Sequence, residues 1–181
     1  MNTTKSLNIL AASDIHGAIS VYEWIADRAG KNDIDILLLA GDLMAYGGRQ
    51  CLDDIQRILL DAGKPVLFVM GNMDRAEWIS EAPFFNIHGK RHLFNDVPFV
   101  GYHYSNPFAG GIFEKDEEGQ ALDMEVLSGL VDENTVFVTH GPCYGILDEP
   151  RPGLHAGSRS LRRFCDERRP KYHLFGHIHE S

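Results

Sequence analysis

Short unbroken apolar runs alternate along this chain with longer stretches in which apolar residues recur every three or four positions. The runs are Leu7 to Ser13 ("LNILAAS"), Ile34 to Ala40 ("IDILLLA"), Val66 to Met70 ("VLFVM"), Thr135 to Thr139 ("TVFVT") and Tyr172 to Phe175 ("YHLF"). Their length and their Val, Ile, Leu and Phe content predict buried strands. Between them, Val21, Tyr22, Ile25 and Ala29 keep helical spacing, as do Leu52, Ile55 and Leu59 ahead of Gly63 and Pro65; residues 122–130 and 158–169, the latter ahead of Pro170, complete the helical stretches. Gly and Pro stand where helices stop. Strand and helix in alternation predict an α/β fold with right-handed crossovers and a largely parallel sheet. "VPFVGYHY" and "GGIF", between Val97 and Phe113, predict further strands or a hairpin in a second sheet, and the charge run "EKDEEGQ" (114–120) predicts a solvated loop.

Composition narrows the class. With 181 residues, 44% of them hydrophobic, the chain has enough apolar material for one core, so a single domain over 1–181 is expected. A formal charge of -9 and a pI near 5.4 oppose binding to polymeric nucleic acid, which needs a basic surface that releases counterions. The same charge does not exclude a small anionic substrate, because cations held in a site cancel it locally. Cys51, Cys143 and Cys165 are odd in number and widely spaced, without a CxxC pair, which predicts reduced structural thiols and neither a disulfide framework nor a thiolate zinc site. The amino-terminal "MNTTKSLNILAAS" is too short in its apolar part for a leader or a membrane span, so no membrane partner and a cytoplasmic location are expected.

The chemistry lies directly after the apolar runs: Asp14-Ile15-His16, Gly41-Asp42, Gly71-Asn72-Met73-Asp74, His140-Gly141-Pro142 and Gly176-His177-Ile178-His179. Ligands in open α/β sheets gather outside the carboxyl ends of the strands, so these five clusters are expected to converge. Residues at i and i+2 of an extended segment project to one side, which pairs Asp14 with His16 and His177 with His179. Taken singly each motif has an ordinary explanation: a Gly-Asp turn, an Asn72 or Asp74 helix cap, a turn before a proline. Five of them in a row, each following a strand, do not. Carboxylate, carboxamide and imidazole without thiolate suit manganese, iron, zinc, nickel or cobalt. Asp14, His16, Asp42, Asn72, His140, His177 and His179 are too many ligands for one open catalytic ion and match two ions sharing a bridging carboxylate.

The order D-x-H, G-D, G-N-x-D, T-H-G-P, G-H-x-H resembles the calcineurin-like metallophosphoesterases from residue 14 to 179, and "THGPCYGILD" and "FGHIHE" look most like the small metallophosphoesterase-domain branch with cyclic-nucleotide phosphodiesterase activity. The resemblance implies a two-sheet β-sandwich flanked by helices with a dinuclear centre at the strand ends. Asp14, His16 and His179 would hold one metal, Asn72, His140 and His177 the other, and Asp42 would bridge them. It implies a phosphodiesterase acting on small or cyclic nucleotide-like diesters, with Mn2+ the expected ion in vitro. A water bridging two metals roughly 3.5 to 4 Å apart would be the nucleophile. Asn72, Asp74 and His140 take the catalytic roles. Asn72 and His140 also face the substrate, and Gly157 and Ser158, at a helix start, either hold a phosphate on free N–H groups or form an ordinary cap.

Two departures from the family pattern stand out. Most relatives have histidine where this chain has Met73, as a leaving-group acid oriented by the residue matching Asp74. Loss of a positioned acid costs on the order of 10² to 10⁴ in rate. The sequence therefore predicts either a preference for good leaving groups or a replacement donor, His103 or His155, each of which has the plainer alternative of a loop histidine. The aromatic stretch "GYHYSNPF" (101–108) is expected in the second-sheet core or stacked on a base. Relatives also continue past the last histidine, so a second sheet without its last strands is expected. The competing function on the same fold is a catalytically weak scaffold or nucleotide-binding regulatory module. Retention of all seven ligand side chains favours the enzyme, since such groups clustered without cations repel.

Overall fold

All five apolar runs form strands, but they divide between two sheets. The computed structural model describes residues 6–31, 33–44, 49–75, 78 and 80–180; the amino-terminal stretch weighed above as a leader lies partly outside them. In chain order the elements are β1 (Ile9–Ala12), α1 (Ile19–Gly30), β2 (Ile36–Ala40), α2 (Arg49–Asp61), β3 (Val66–Val69), β4 (Phe84–Asn86), β5 (Arg91–Phe94), β6 (Val97–Tyr102), α3 (Glu117–Leu127), β7 (Val136–Thr139), α4 (Arg159–Arg168) and β8 (Tyr172–Leu174). The first sheet runs β1-β2-β3-β4, all parallel; the second runs β5-β6-β7-β8, parallel except for the β5–β6 hairpin. Each half thus repeats strand, helix, strand, helix, strand, with its strand ends on one edge.

Three apolar layers follow from side chains alternating across each strand. Leu37 and Leu39 of β2 and Val66 and Phe68 of β3 face α1 and α2. Ile36, Leu38 and Ala40, with Leu67 and Val69, face Phe99, Val136 and Val138 of the other sheet. Val100, Tyr102 and Phe137 turn outward onto α3 and α4. Strands buried on both faces read as continuous apolar runs, which is why β2 has the sequence ILLLA. Gly101 lets the sheets approach, because a Cβ there would meet Val69 and Ile87.

The sequence expectations fail in the middle of the chain. "GGIF" is a turn, not a strand, and "EKDEEGQ" is no solvated loop: Glu114 closes an isolated bridge with Ser105, Asp116 caps α3 by accepting from Gly119 N–H at 2.8 Å, and the helix starts at Glu117 and ends at Leu127 rather than spanning 122–130. The short strands β4 and β5 were not expected. The hairpin is turned by Asn95 and Asp96 at φ 49° and 66°, the left-handed pair that two-residue hairpins require. No described helix is long and apolar enough to cross a membrane.

Candidate metal centre

The loops leaving β1, β2 and β3 of one sheet and β7 and β8 of the other meet at one edge. Four of the seven expected ligands sit there with left-handed backbones: Asp14 at φ 54°, His16 at 50°, Asp42 at 51° and His177 at 78°. Such a conformation costs about 1–3 kcal/mol per non-glycine residue and persists only when the surroundings over-determine it. Here backbone bonds do so. Asp14 N–H donates to Gly41 O (3.0 Å), His16 N–H to Asp42 O (2.9 Å) and Gly17 N–H to Leu43 O (3.0 Å), which laces the first two loops together. The motif glycines allow the contact: a Cβ on Gly71 would strike Asp42, and one on Gly176 would strike Asp14 and Ser13.

Within this edge the side chains form two groups. His140, Asp42 and His177 make the buried one, joined by Asn72. His140 Nδ1 lies 3.1 Å from the carbonyl of Ala40. A carbonyl only accepts, so Nδ1 carries the hydrogen and Nε2 the lone pair. That lone pair faces Asn72 Oδ1 at 2.9 Å, His177 Nδ1 at 3.2 Å and Asp42 Oδ1 at 3.5 Å. At most one hydrogen, on His177 Nδ1, can serve this cluster of four electron-rich atoms, and in the other tautomer all four are acceptors that a divalent cation satisfies. Burial and the neighbouring His140 push the His177 imidazole down to about 4, keeping it neutral and able to ligate. Burial raises the Asp42 carboxyl above its ordinary value, with His140 opposing.

The second group, Asp14, His16 and His179, is more open. His179 Nε2 lies 3.4 Å from Asp14 Oδ1, and the His16 and His179 rings are 5.4 Å apart. Asp42 belongs to both groups: its Oδ1 faces His140, and its Oδ2 lies 3.9 Å from His16 Nε2. The donor set fits a pair of divalent ions that share Asp42, with three further ligands on each side. Asp14 is oriented by His177 N–H, at 3.1 and 2.9 Å from its two oxygens, so the first and last motifs of the chain touch directly.

Around the ligands, Asp74 is buried and ties two loops, accepting from Met44 N–H and Gly71 N–H at 2.8 Å each; burial pushes its carboxyl up to about 6 against those bonds. Tyr22 OH donates to Leu43 O at 2.6 Å and anchors the same loop. Met73 supplies a backbone N–H to Asp42 Oδ1 at 2.8 Å. A residue beside the candidate ligands that sequence reasoning missed is Glu114. Its carboxylate accepts from the N–H groups of Phe108, Ala109 and Gly110 at 2.8–2.9 Å and from Asn72 Nδ2 at 3.3 Å. By holding the amide nitrogen it turns Asn72 Oδ1 toward His140. No local signal marks it, since its partner lies 42 residues away.

The remaining candidates separate clearly. His103 is buried, accepts from Met70 N–H at 2.8 Å and stacks on His88 at 4.0 Å, so it braces the end of β3 from within the protein. The start of α4 is filled by protein groups: Ser158 caps Leu161 N–H, Glu117 accepts from Arg159 and Ser160 N–H, and Gly157 N–H donates to Asp148. The helix-start groups that a phosphate would use are therefore engaged. Tyr102 is core, while Phe108 is 81% exposed and stands edge-on to His177 at 6.2 Å. Phe108, Arg151, Leu154 and His155 line an open groove of about 700 Å³ that reaches His177 and His179. His155 Nδ1 pairs with Asp148 at 2.8 Å, and Nε2 with Glu149 at 3.5 Å.

Comparison with known proteins agrees with this fold. The chain is similar to TT1561 of Thermus thermophilus, at 19% identity and a TM-score of 0.70 over 94% of this chain and 81% of that one. A second solved chain superposes with a TM-score of 0.75 at 13% identity, over 96% of this chain and 84% of its own. UPF0046 protein K07C11.7 of Caenorhabditis elegans is 32% identical over 85 residues, 47% of this chain and only 28% of that protein. The family model of the calcineurin-like phosphoesterases matches residues 7–181, so the chain belongs to that family of metal-dependent phosphoesterases.

Proposed function

We propose that this protein hydrolyses small phosphodiesters, nucleotide-like or cyclic, at a two-cation centre with Mn2+ as a competent ion. The observation that carries this is the placement of Asp42 between two ligand groups beside a groove with aromatic and apolar walls. When bound, the cations would polarise the phosphoryl oxygens and lower the pKa of water. The chain's own residues do the rest. His140 and Asn72, fixed by Ala40 and Glu114, orient the buried side of the phosphate. Phe108 and Leu154 cover the second ester substituent, which a monoester lacks, and Arg151 adds positive charge at the groove. Asp74 keeps the loops carrying Asp42 and Asn72 in register rather than transferring a proton.

Met73 brings no acid to the leaving group. His155, held between two carboxylates in the groove, is the replacement donor in this proposal. The experiment compares an activated diester, the corresponding monoester, and 2′,3′- and 3′,5′-cyclic nucleotides, with bound metal measured in parallel. The diester should be cleaved faster than the monoester. Met73→His should raise turnover on poor leaving groups on the order of 10²-fold or more, and His155→Ala should lower it. Two bound ions with no turnover on any of these substrates would favour the regulatory binding module, for which Met73 is the supporting observation.

A further inference from the structure

Apart from the centre just described, two sulfurs and a nitrogen meet between α4 and the second sheet. Cys143 lies in the loop after β7, Cys165 on α4 and His173 on β8. The Cys143 sulfur is 3.6 Å from the Cys165 sulfur and 3.6 Å from His173 Nδ1, and the Cys165 sulfur is 3.8 Å from the same nitrogen. The sequence spacing excluded a thiolate site because no two cysteines are close along the chain. The fold brings together residues that are 22 and 30 positions apart.

The tautomer of His173 follows from its neighbour. Thr139 has a single hydroxyl hydrogen and donates it to Gly141 O at 2.6 Å. Toward His173 Nε2, 2.9 Å away, the hydroxyl therefore accepts. Nε2 carries the hydrogen, and the Nδ1 lone pair points at the two sulfurs. A tetrahedral ion with metal–sulfur bonds of about 2.3 Å and metal–nitrogen bonds of about 2.05 Å has sulfur–sulfur edges of about 3.8 Å and sulfur–nitrogen edges of about 3.6 Å. Each side of the triangle in the protein agrees with its counterpart to within about 0.3 Å. A metal-binding imidazole almost always donates its far N–H to an acceptor, and Thr139 supplies one to His173.

We propose that Cys143, Cys165 and His173 form a separate site for one soft or borderline cation, Zn2+ in the first instance. Two thiolates and an imidazole select such an ion over Mn2+, which prefers oxygen. The ion would tie the loop after β7 to α4 and β8. These elements lead directly into the centre: Thr139 precedes His140, and β8 ends three residues before His177.

Co2+ is the probe, because a thiolate ligand adds an intense near-ultraviolet charge-transfer band that oxygen and imidazole ligands do not. The reduced full chain should develop this band, saturating at one ion per chain. It should be absent in Cys143→Ser and retained in Cys51→Ser. A second measurement needs no variant: Zn2+ at ten times its dissociation constant should slow alkylation of Cys143 and Cys165 about tenfold and leave Cys51 unaffected. The proposal is overturned if Co2+ binds without the band, if the band survives Cys143→Ser, if Zn2+ leaves the alkylation of both thiols unchanged, or if anaerobically isolated protein carries the pair as a disulfide.

Discussion

The two halves of the candidate metal centre are built from similar residues and differ in how they are held. In the buried half the side chains of His140 and Asp42 are 0% and 3% exposed, and three of the four ligands have a partner behind them: Ala40 O for His140, Glu114 for Asn72, Met73 N–H for Asp42. In the open half the side chains of His16 and His179 are 34% and 55% exposed. Asp14 is held by His177 N–H, but water competes for the lone pairs of both imidazoles, whose rotamer freedom is lost only when an ion binds. The buried half is therefore preorganised and should hold its ion tightly, while the open half should exchange. The difference teaches that motifs mark candidate ligands, while the groups behind them set how far each is preorganised.

The strongest way to break this contrast is to remove the group both halves share. Asp42→Asn should lower turnover of an activated diester by on the order of 10³-fold and reduce bound metal from two ions to at most one; two retained ions with near-normal turnover would show that the halves are independent. Next come His140→Ala and His179→Ala. The first empties a fully buried position and should lower stability by about 2–4 kcal/mol in denaturant unfolding, with activity that excess Mn2+ does not restore. The second should leave stability nearly unchanged and recover activity as Mn2+ is raised. Equal responses of the two variants would erase the distinction.

Glu114→Gln tests the support behind Asn72. Metal affinity of the buried half should weaken about 10- to 100-fold, read by competition with a chelator, while the open half is unaffected. The smallest effect concerns the stacked pair below β3. Burial pushes His88 down to about 4, with Asp123 opposing and Lys115 and Lys90 adding to the effect; His103 stacks on it and Tyr102 and Tyr104 pack around it. The unfolded chain takes up a proton near 6.5 and the folded ring does not, so this contribution is complete above pH 6.5 and is lost as pH falls toward about 4. Between pH 6.5 and 5.5 the loss is about 1 kcal/mol. His88→Phe should flatten that part of the stability curve; an unchanged slope would mean that the ring does not titrate with unfolding.

Much of the fold was legible because each element's burial pattern is local. β2 and β3 are apolar on both faces and could be nothing but central strands, and Ser158 and Arg169 bound α4 as its pattern predicts. The errors fall where a partner is distant. Glu114 and Glu117 look like solvent charges in sequence. In space they collect the N–H groups of the 108–110 turn and of the α4 start. "GGIF" has strand composition, yet Glu114 curls the segment preceding it and it joins no ladder.

What the sequence determined by itself was the set of candidate ligands and their attachment to strand ends, because strand burial and motif chemistry are both written in consecutive residues. It did not divide five similar runs between two sheets, separate a buried half-site from an open one, or bring Cys143, Cys165 and His173 together. Those outcomes depend on which faces pack against each other, and that choice is made by apolar area and shape summed over distant segments. No short stretch of sequence carries that sum.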